Sequence, residues 1–214
     1  LDAEERCQVF RLLEATHQAM LMYTSCAWFF SDVSGLEGKQ NLGYAARAIE
    51  LAQPFATESL EALLLGYLEQ ARSNVATWGD GRKVYRAAMR HRVTPAAIGA
   101  RAVFESIFLR HSLERRLWSH EVEGALECTP PEDPSGGLDS TIWEGRLAVS
   151  DPRTEEKWEW KARVAPGKDT GRVLTLEAPD GQIERPVRAI LRGLPPDLRR
   201  ETAREIQESL LRES

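Results

Sequence analysis

The residues best suited to chemistry lie in a short aromatic and acidic segment, residues 23–40. It contains one tryptophan and three polar side chains within thirteen positions, namely Trp28, Asp32, Glu37 and Gln40. Sugars are bound by an aromatic ring that packs on C–H groups and by carboxylates or amides that take hydroxyls in fixed directions. The segment therefore predicts a carbohydrate-binding site. The alternative is that the aromatic residues are core and Asp32 only caps the next helix.

A second polar and aromatic segment spans residues 73–81 and contains Asn74, Trp78 and Asp80. If this loop and the aromatic segment lie at the same end of one helical bundle, their side chains converge on a shared cleft. The alternative is a plain turn, because Gly79 and Gly81 are explained by backbone geometry alone.

No catalytic residue is predicted in this chain. Retaining glycoside hydrolysis needs two carboxyl groups about 5–5.5 Å apart, and only Asp32 with Glu37 or Asp80 lies near aromatic residues. The sequence has no Gly-x-Ser-x-Gly motif for a serine hydrolase. Cys26 and His17 are nine residues apart on one predicted helix, which separates them by about 13 Å.

Composition narrows the class of partner. The 214 residues are 42% hydrophobic and 29% charged, with a net charge of −5 and no basic stripe, which argues against nucleic acid. No run of 18 or more apolar residues predicts a membrane span. The three cysteines are widely spaced and favour a reducing cytoplasm, and the four histidines lack metal-ligand spacing. We therefore expect neither a metal nor a cofactor.

Five helices are predicted over the first 120 residues. Apolar or small residues spaced by three and four indicate helices over about 2–30, 37–55, 57–71 and 83–90. Thr94-Pro95 is a capping residue followed by proline, and it begins a fifth helix that is predicted to run to about Trp118. These elements form a helical bundle, residues 1–120.

After residue 120 the pattern changes to an alternation of apolar and charged residues, which is typical of strands. Asp180-Gly181 indicates a hairpin turn, and Pro195-Pro196 precedes a closing amphipathic helix. The predicted fold is α+β: an N-terminal helical bundle, then an antiparallel sheet of about five strands and a C-terminal helix over residues 121–214. Trp143, Trp158 and Trp160 lie in the strands, and burial is the expected fate of these rings.

Three motifs resemble one known family. They are Thr24-Ser25-Cys26 with Trp28-Phe29-Phe30, Ser34-Gly35 and Glu37; the helix Asn41–Ala52; and Ser73-Asn74 with Gly79-Asp80-Gly81 and Tyr85. Together they cover most of residues 15–110. They resemble a domain family of unknown function that follows the catalytic module of glycoside hydrolase family 57, whose members include amylase-like and α-mannosidase-like enzymes.

The resemblance implies that the chain has a catalytic partner domain and is not itself catalytic. Family 57 enzymes are retaining hydrolases or transferases acting on α-glucans, and their Glu nucleophile and Asp acid lie on a barrel that would precede Leu1. The chain is then expected to pack on that barrel, in the same parent polypeptide, and to help shape its sugar cleft. Ser25–Trp28 resembles a Ser-Asp-Trp motif of the family, with Ala27 in place of the Asp.

A functional alternative belongs to another class. The chain is then a stand-alone carbohydrate-binding or protein-interaction module without catalysis. If the chain instead packs on a catalytic barrel, some of the four aromatic residues Tyr23, Trp28, Phe29 and Phe30 should be exposed, because the barrel surface that covers them is missing.

Overall fold

A computed structural model describes residues 1–29, 32–89, 93–130, 141–167, 172–179, 181–186 and 190. Helices at the N-terminus precede an antiparallel sheet of six strands, so the predicted α+β class is confirmed. Contacts divide the chain into two units, residues 1–92 with 153–155, and residues 93–152 with 156–214. In the described part of the chain, no helix combines the length and apolar character needed to cross a membrane.

Unit 1 contains five helices and one 3₁₀ turn. They are α1 (Ala3–Leu21), α2 (Cys26–Phe29), α3 (Leu36–Ala52) with the 3₁₀ turn Gln53–Phe55, α4 (Leu60–Leu68) and α5 (Gly81–Met89). The first helix begins at a capping box in which Asp2 and Glu5 accept each other's backbone N–H groups. Ser59 caps α4 by accepting from the N–H of Ala62, so this helix begins three residues after the predicted start at residue 57.

The prediction of one helix from residue 2 to residue 30 was wrong beyond Leu21. The chain leaves the helix there because Asn41 of α3 holds the segment by its side chain. Its Nδ2 donates to the carbonyl oxygens of Met22, at 2.9 Å, and Thr24, at 3.2 Å, and its Oδ1 accepts from the Thr24 hydroxyl at 3.1 Å. These bonds replace the intrahelical ones that a continuous helix would make.

The inner face of α1 is polar. Its buried residues are Glu14, Ala15 and Gln18, and Gln18 Nε2 donates to Glu14 at 2.8 Å. Arg11 donates from Nε to the carbonyl of Leu51 at 2.9 Å, so it satisfies an acceptor at the end of α3. Hydrogen bonds rather than apolar packing therefore supply much of this contact.

A small apolar cluster joins α3 and α5. It consists of the buried residues Leu42, Ala46, Val84 and Tyr85, with partly buried side chains including Leu64, Leu68 and Trp78 packed around it. The hydroxyl of Tyr85 donates to Glu61 of α4 at 2.8 Å. This cluster is the apolar core beneath the loop of residues 73–81.

Unit 2 begins with α6 (Pro95–Phe108), and Thr94 caps it as predicted by accepting from the N–H of Ala97 at 3.2 Å. The helix ends ten residues before Trp118. Six strands follow: β1 (Arg115–Leu117), β2 (His120–Thr129), β3 (Ile142–Asp151), β4 (Glu156–Pro166), β5 (Arg172–Ala178) and β6 (Gly181–Pro186). They pair in the order of the chain, each antiparallel to the next. About five strands were predicted, and the additional one is β1. It occupies residues that were predicted to form the end of the fifth helix.

A buried ionic cluster explains why α6 stops. Glu105 accepts from Arg101 Nε at 2.6 Å and from Arg115 Nη2, on β1, at 2.5 Å. The carbonyl of Glu105 accepts from the N–H groups of Leu109 and His111. The Glu105 side chain is only 4% exposed, so its charge requires these partners. The cluster thus fixes the passage from helix to sheet.

The sheet has one apolar face and one charged face. The apolar face packs on α6 through residues no more than 1% exposed, namely Val122, Leu147, Val149, Ala162, Val164, Leu174 and Leu176. A Cβ at Gly99 of α6 would lie 2.7 Å from Leu147 Cδ2, so glycine allows this close approach. Trp143, Trp158 and Trp160, which were expected to be buried, are all half-buried, and Trp143 and Trp160 pack on the same core.

The boundary between the two units follows residue 92, whereas the sequence pattern predicted a change from helices to strands near residue 120. The two positions differ because α6 packs on the sheet and therefore belongs to unit 2. The predicted C-terminal helix, around Leu198, Ile206 and Leu210, lies outside the described residues.

Candidate functional site

The site is built first on a glycine-containing turn between α2 and α3. Residues 30 and 31 lie outside the description, and the chain resumes at Asp32, whose carbonyl accepts from the N–H of Gly35 at 3.2 Å. A Cβ at Gly38 would lie 2.5 Å from the carbonyl oxygen of Val33. Because only glycine avoids that overlap, Gly38 lets the turn lie flat on the first turn of α3.

Asp32 joins this turn to the loop of residues 73–81. Its Oδ1 accepts from the amide of Ser34 at 2.7 Å and from the Ser34 hydroxyl at 2.5 Å. The Ser73 hydroxyl lies 3.0 and 3.1 Å from the two carboxylate oxygens, and the N–H of Asn74 donates to Oδ2. The two predicted site segments are therefore in direct contact.

These hydrogen bonds also set the charge of Asp32. Donation from Ser34, above all from its hydroxyl, and then from Asn74 and Ser73 lowers the pKa of Asp32 from 3.8 to about 2. A carboxylate offers about four lone-pair positions, and the donors around Asp32 take them up. The role of this carboxylate in the described structure is to position the loop.

The loop of residues 73–81 is a closed turn. The N–H of Ser73 donates to the carbonyl of Gly79 at 3.0 Å, and that of Trp78 donates to Val75 at 2.9 Å. Gly79 has a φ of 72°, in the left-handed region that favours glycine. The loop is thus fixed at both ends before α5 begins, and it presents Trp78 at its tip.

Trp78 lies among charged side chains. The Nζ of Lys39, on α3, is 4.6 Å from the centroid of the indole ring. Arg82 Nη2 donates to Asp80 at 3.1 Å and lies 3.0 Å from Glu69. The hydrogen bond from Arg82 is the main reason that the pKa of Asp80 is lowered.

An open groove runs along the start of α5 beside this ring. It has a volume of about 580 Å³ and is lined by Trp78, Asp80, Arg82, Lys83, Arg86 and Ala87. This size falls within the range of small-molecule sites, about 300–1,000 Å³. The groove thus resembles a ligand site in size and brings together two of the predicted residues, Trp78 and Asp80.

Not all the predicted residues come together. The structure pairs Asp32 with the backbone of Asn74, and it places Trp78 and Asp80 in the groove. Gln40 donates to the hydroxyl of Tyr44 at 2.6 Å within α3. Glu37 is half-buried in the first turn of the same helix. Trp28 belongs to α2, and its side chain lies outside the description.

Several residues at the site were not predicted from sequence. They are the positioning residues Ser73 and Asn41 and the cations Lys39, Arg82, Lys83 and Arg86. Asn41 carried a usable signal, because asparagine competes for backbone hydrogen bonds and is disfavoured inside a helix. The cations carried none, since surface lysines and arginines on helices are common.

The environments of Asp32 and Asp80 differ from that of a general acid. A general acid in glycoside hydrolysis needs a raised pKa, whereas the pKa values of Asp32 and Asp80 are both lowered. Among the described residues, no group of three His, Cys, Asp or Glu side chains could hold a metal ion. The arrangement is suited to binding and to positioning.

Comparison with known proteins places the chain in a family. The family model described as "Domain of unknown function (DUF3536)" matches residues 1–157, which include all of unit 1, α6 and the whole of the first three strands. No curated protein and no solved structure matches the chain.

Proposed function

The chain belongs to the DUF3536 family, and from that membership and the motif resemblance we propose that it serves a family 57-like glycoside hydrolase as a non-catalytic region. It packs on the catalytic barrel of the same parent polypeptide and helps to shape the cleft for an α-glucan or other carbohydrate. The widely spaced cysteines favour a cytoplasmic setting.

The observation that carries the proposal is the apolar outer face of α1. Opposite the buried Glu14 and Gln18, the helix exposes Val9, Leu12, Leu13 and Met20, with exposed fractions of 41–71%. Positions 9, 13 and 20 fall on one side of a helix. A helix that buries polar residues and exposes apolar ones is expected where another surface covers the apolar side.

Further apolar side chains are exposed in the segment that follows α1. Tyr23 is 66% exposed, Phe29 86% and Leu36 78%. Single exposed apolar residues are ordinary, but a succession of them around one turn is typical of an interface. These side chains support contact with a second body near the turn that carries Asp32.

The hydrogen bonds of Asp32 suggest how the region could shape a cleft. They hold the loop of residues 73–81 against the aromatic turn. A barrel packed on the exposed aromatic residues then has the Trp78 loop close to it. Trp78 and its neighbours supply the ring and the polar groups that a sugar subsite needs.

The test places charges on the outer face of α1. The double variant Leu13→Glu, Met20→Glu should change the free energy of unfolding of the 214-residue chain by less than about 0.5 kcal/mol, because both side chains are exposed. In the parent polypeptide, the same variant should lower the melting temperature and kcat/KM on soluble α-glucans, because glutamates are then forced into a contact.

A matched control is Leu63→Glu, in an exposed position on α4, which should leave the parent unchanged. A parent whose activity and melting temperature tolerate the double variant contradicts the proposal. A parent without a catalytic barrel contradicts it as well.

The alternative is a stand-alone carbohydrate-binding or protein-interaction module. The open groove beside Trp78 is the observation that favours it, since a ligand could enter without a barrel. Carbohydrate binding by the chain, combined with indifference of the parent to the double variant, supports this alternative.

A further inference from the structure

The groove beside Trp78 is unusual in its charge. The chain as a whole has a formal net charge of −5, yet the groove is lined by the cations Arg82, Lys83 and Arg86. A fourth cation, Lys39, stands over the Trp78 ring. A positive groove on an acidic chain concentrates anions locally.

The carboxylates nearby offset only part of this charge. Asp80 and Glu69 both pair with Arg82. Lys83 donates from Nζ to the carbonyl of Thr77 at 2.6 Å, which is a neutral acceptor. Arg86 is exposed one turn further along α5, so Lys83 and Arg86, at i and i+3, lie on the same side of the helix.

The lining also contains an aromatic ring. Trp78 is half-buried against the Leu42 and Val84 cluster, so its orientation is fixed by packing. A held indole next to cations suits a ligand with both a C–H face and an anionic group. The volume of about 580 Å³ has room for a sugar ring as well as the anion.

We propose that this groove binds an anionic sugar, a pyranose carrying a phosphate or a carboxylate. The sugar ring packs on Trp78, Lys83 and Arg86 bind the anionic group, and Asp80 positions Arg82. The inference deepens the proposed function, since it assigns a ligand class to the same candidate site. It does not depend on the barrel, because every group named belongs to unit 1.

Calorimetric titration of the 214-residue chain tests the assignment. The probes are glucose 6-phosphate, glucuronate, glucose and inorganic phosphate, each at low salt. The phosphorylated sugar or the uronate should bind at least about tenfold more tightly than glucose, because an ionic hydrogen bond is worth about one factor of ten in affinity. It should also bind more tightly than inorganic phosphate, which cannot use the ring.

Variants locate the binding. Arg86→Ala should weaken binding of the preferred anionic sugar about tenfold, and Arg86→Glu should abolish it, with unchanged melting temperatures because the side chain is exposed. Arg116→Ala on β1 removes the same charge outside the groove lining and should retain the affinity. Raising the salt concentration should weaken binding.

Several outcomes overturn the inference. They are equal binding of glucose and its phosphate, equal binding of inorganic phosphate and the anionic sugars, and full affinity in Arg86→Glu. Failure of the barrel contact in the parent polypeptide would leave these titrations unaffected, so the two proposals can fail separately.

Discussion

The core between the sheet and α6 of unit 2 is built from apolar side chains, whereas α1 of unit 1 buries polar side chains and exposes apolar ones. The inward residues of β3, Leu147 and Val149, are no more than 1% exposed, and charged residues occupy its other face. On α1 the buried residues include Glu14 and Gln18, while Leu13 and Met20 face solvent.

The difference concerns how each unit obtains its stability. The sheet and α6 enclose a continuous apolar core, so unit 2 gains the burial free energy that stabilises an independent domain. Unit 1 has a small cluster and relies on side-chain hydrogen bonds such as those of Arg11, Asn41 and Asp32. Its apolar surface is available for a contact with another body.

The largest expected effect comes from truncating matched leucines. Leu147→Ala should lower the free energy of unfolding of unit 2 by about 2–5 kcal/mol, because it leaves a cavity against α6. Leu13→Ala, in a side chain that is 59% exposed, should cost less than about 0.5 kcal/mol. Urea unfolding followed by circular dichroism measures both, and similar costs would refute the contrast between the units.

A smaller loss is expected from the ionic cluster that ends α6. Glu105→Gln keeps the shape of the side chain but removes the charge that Arg101 and Arg115 bind. The expected cost is about 1.5–3 kcal/mol, the worth of hydrogen bonds to charged groups. Denaturant titration should show it, with Arg163→Gln in the exposed pair with Glu144 as a nearly neutral control.

One helix cap in each unit has the same hydrogen-bond length, so the two caps allow the stability of the units to be compared. Thr94 of unit 2 and Ser59 of unit 1 each accept from a backbone N–H at 3.2 Å. Thr94→Ala should cost about 1 kcal/mol of global stability. Ser59→Ala should cost less, because α4 has no buried residue and can open locally. Hydrogen exchange of the α4 amides, faster than that of α6, checks the reason for the difference.

The last prediction concerns pH. The pKa of Asp32 is lowered from 3.8 to about 2 in the folded chain, so the ionised carboxylate stabilises the fold above pH 4. That contribution is lost as the pH falls from about 4 towards 2. Melting temperatures of Asp32→Asn should depend less on pH than those of the wild type in this window. Equal slopes would show that Asp32 does not stabilise the loop.

The alternation of the four strands β2 to β5 was predictable from sequence because each of them buries residues on one face. The apolar residues of β3 and β4 follow the period of two. The cap at Thr94 was also predictable, because its side chain accepts from a backbone N–H only three residues further along the chain.

The ends of α1 and α6 were not predictable in the same way. The composition of residues 109–118 is compatible with a continued helix. In the structure Arg115 lies on a strand, where it donates a hydrogen bond to Glu105. Likewise, α1 stops just before Met22 and Thr24, whose carbonyls accept hydrogen bonds from the side chain of Asn41, 19 and 17 residues further along the chain. Contacts over such separations leave little trace in a local pattern.

The sequence by itself determined the α+β class, the cap at Thr94 and the segments that carry the candidate site residues, because local geometry and hydrophobic period decide those. Only the tertiary structure decided that Asp32 binds Ser73 and Asn74, and that the cations Lys39 and Arg86 lie around Trp78. Those residues are far apart along the chain, and folding brings them to one place because the helices pack on a shared cluster.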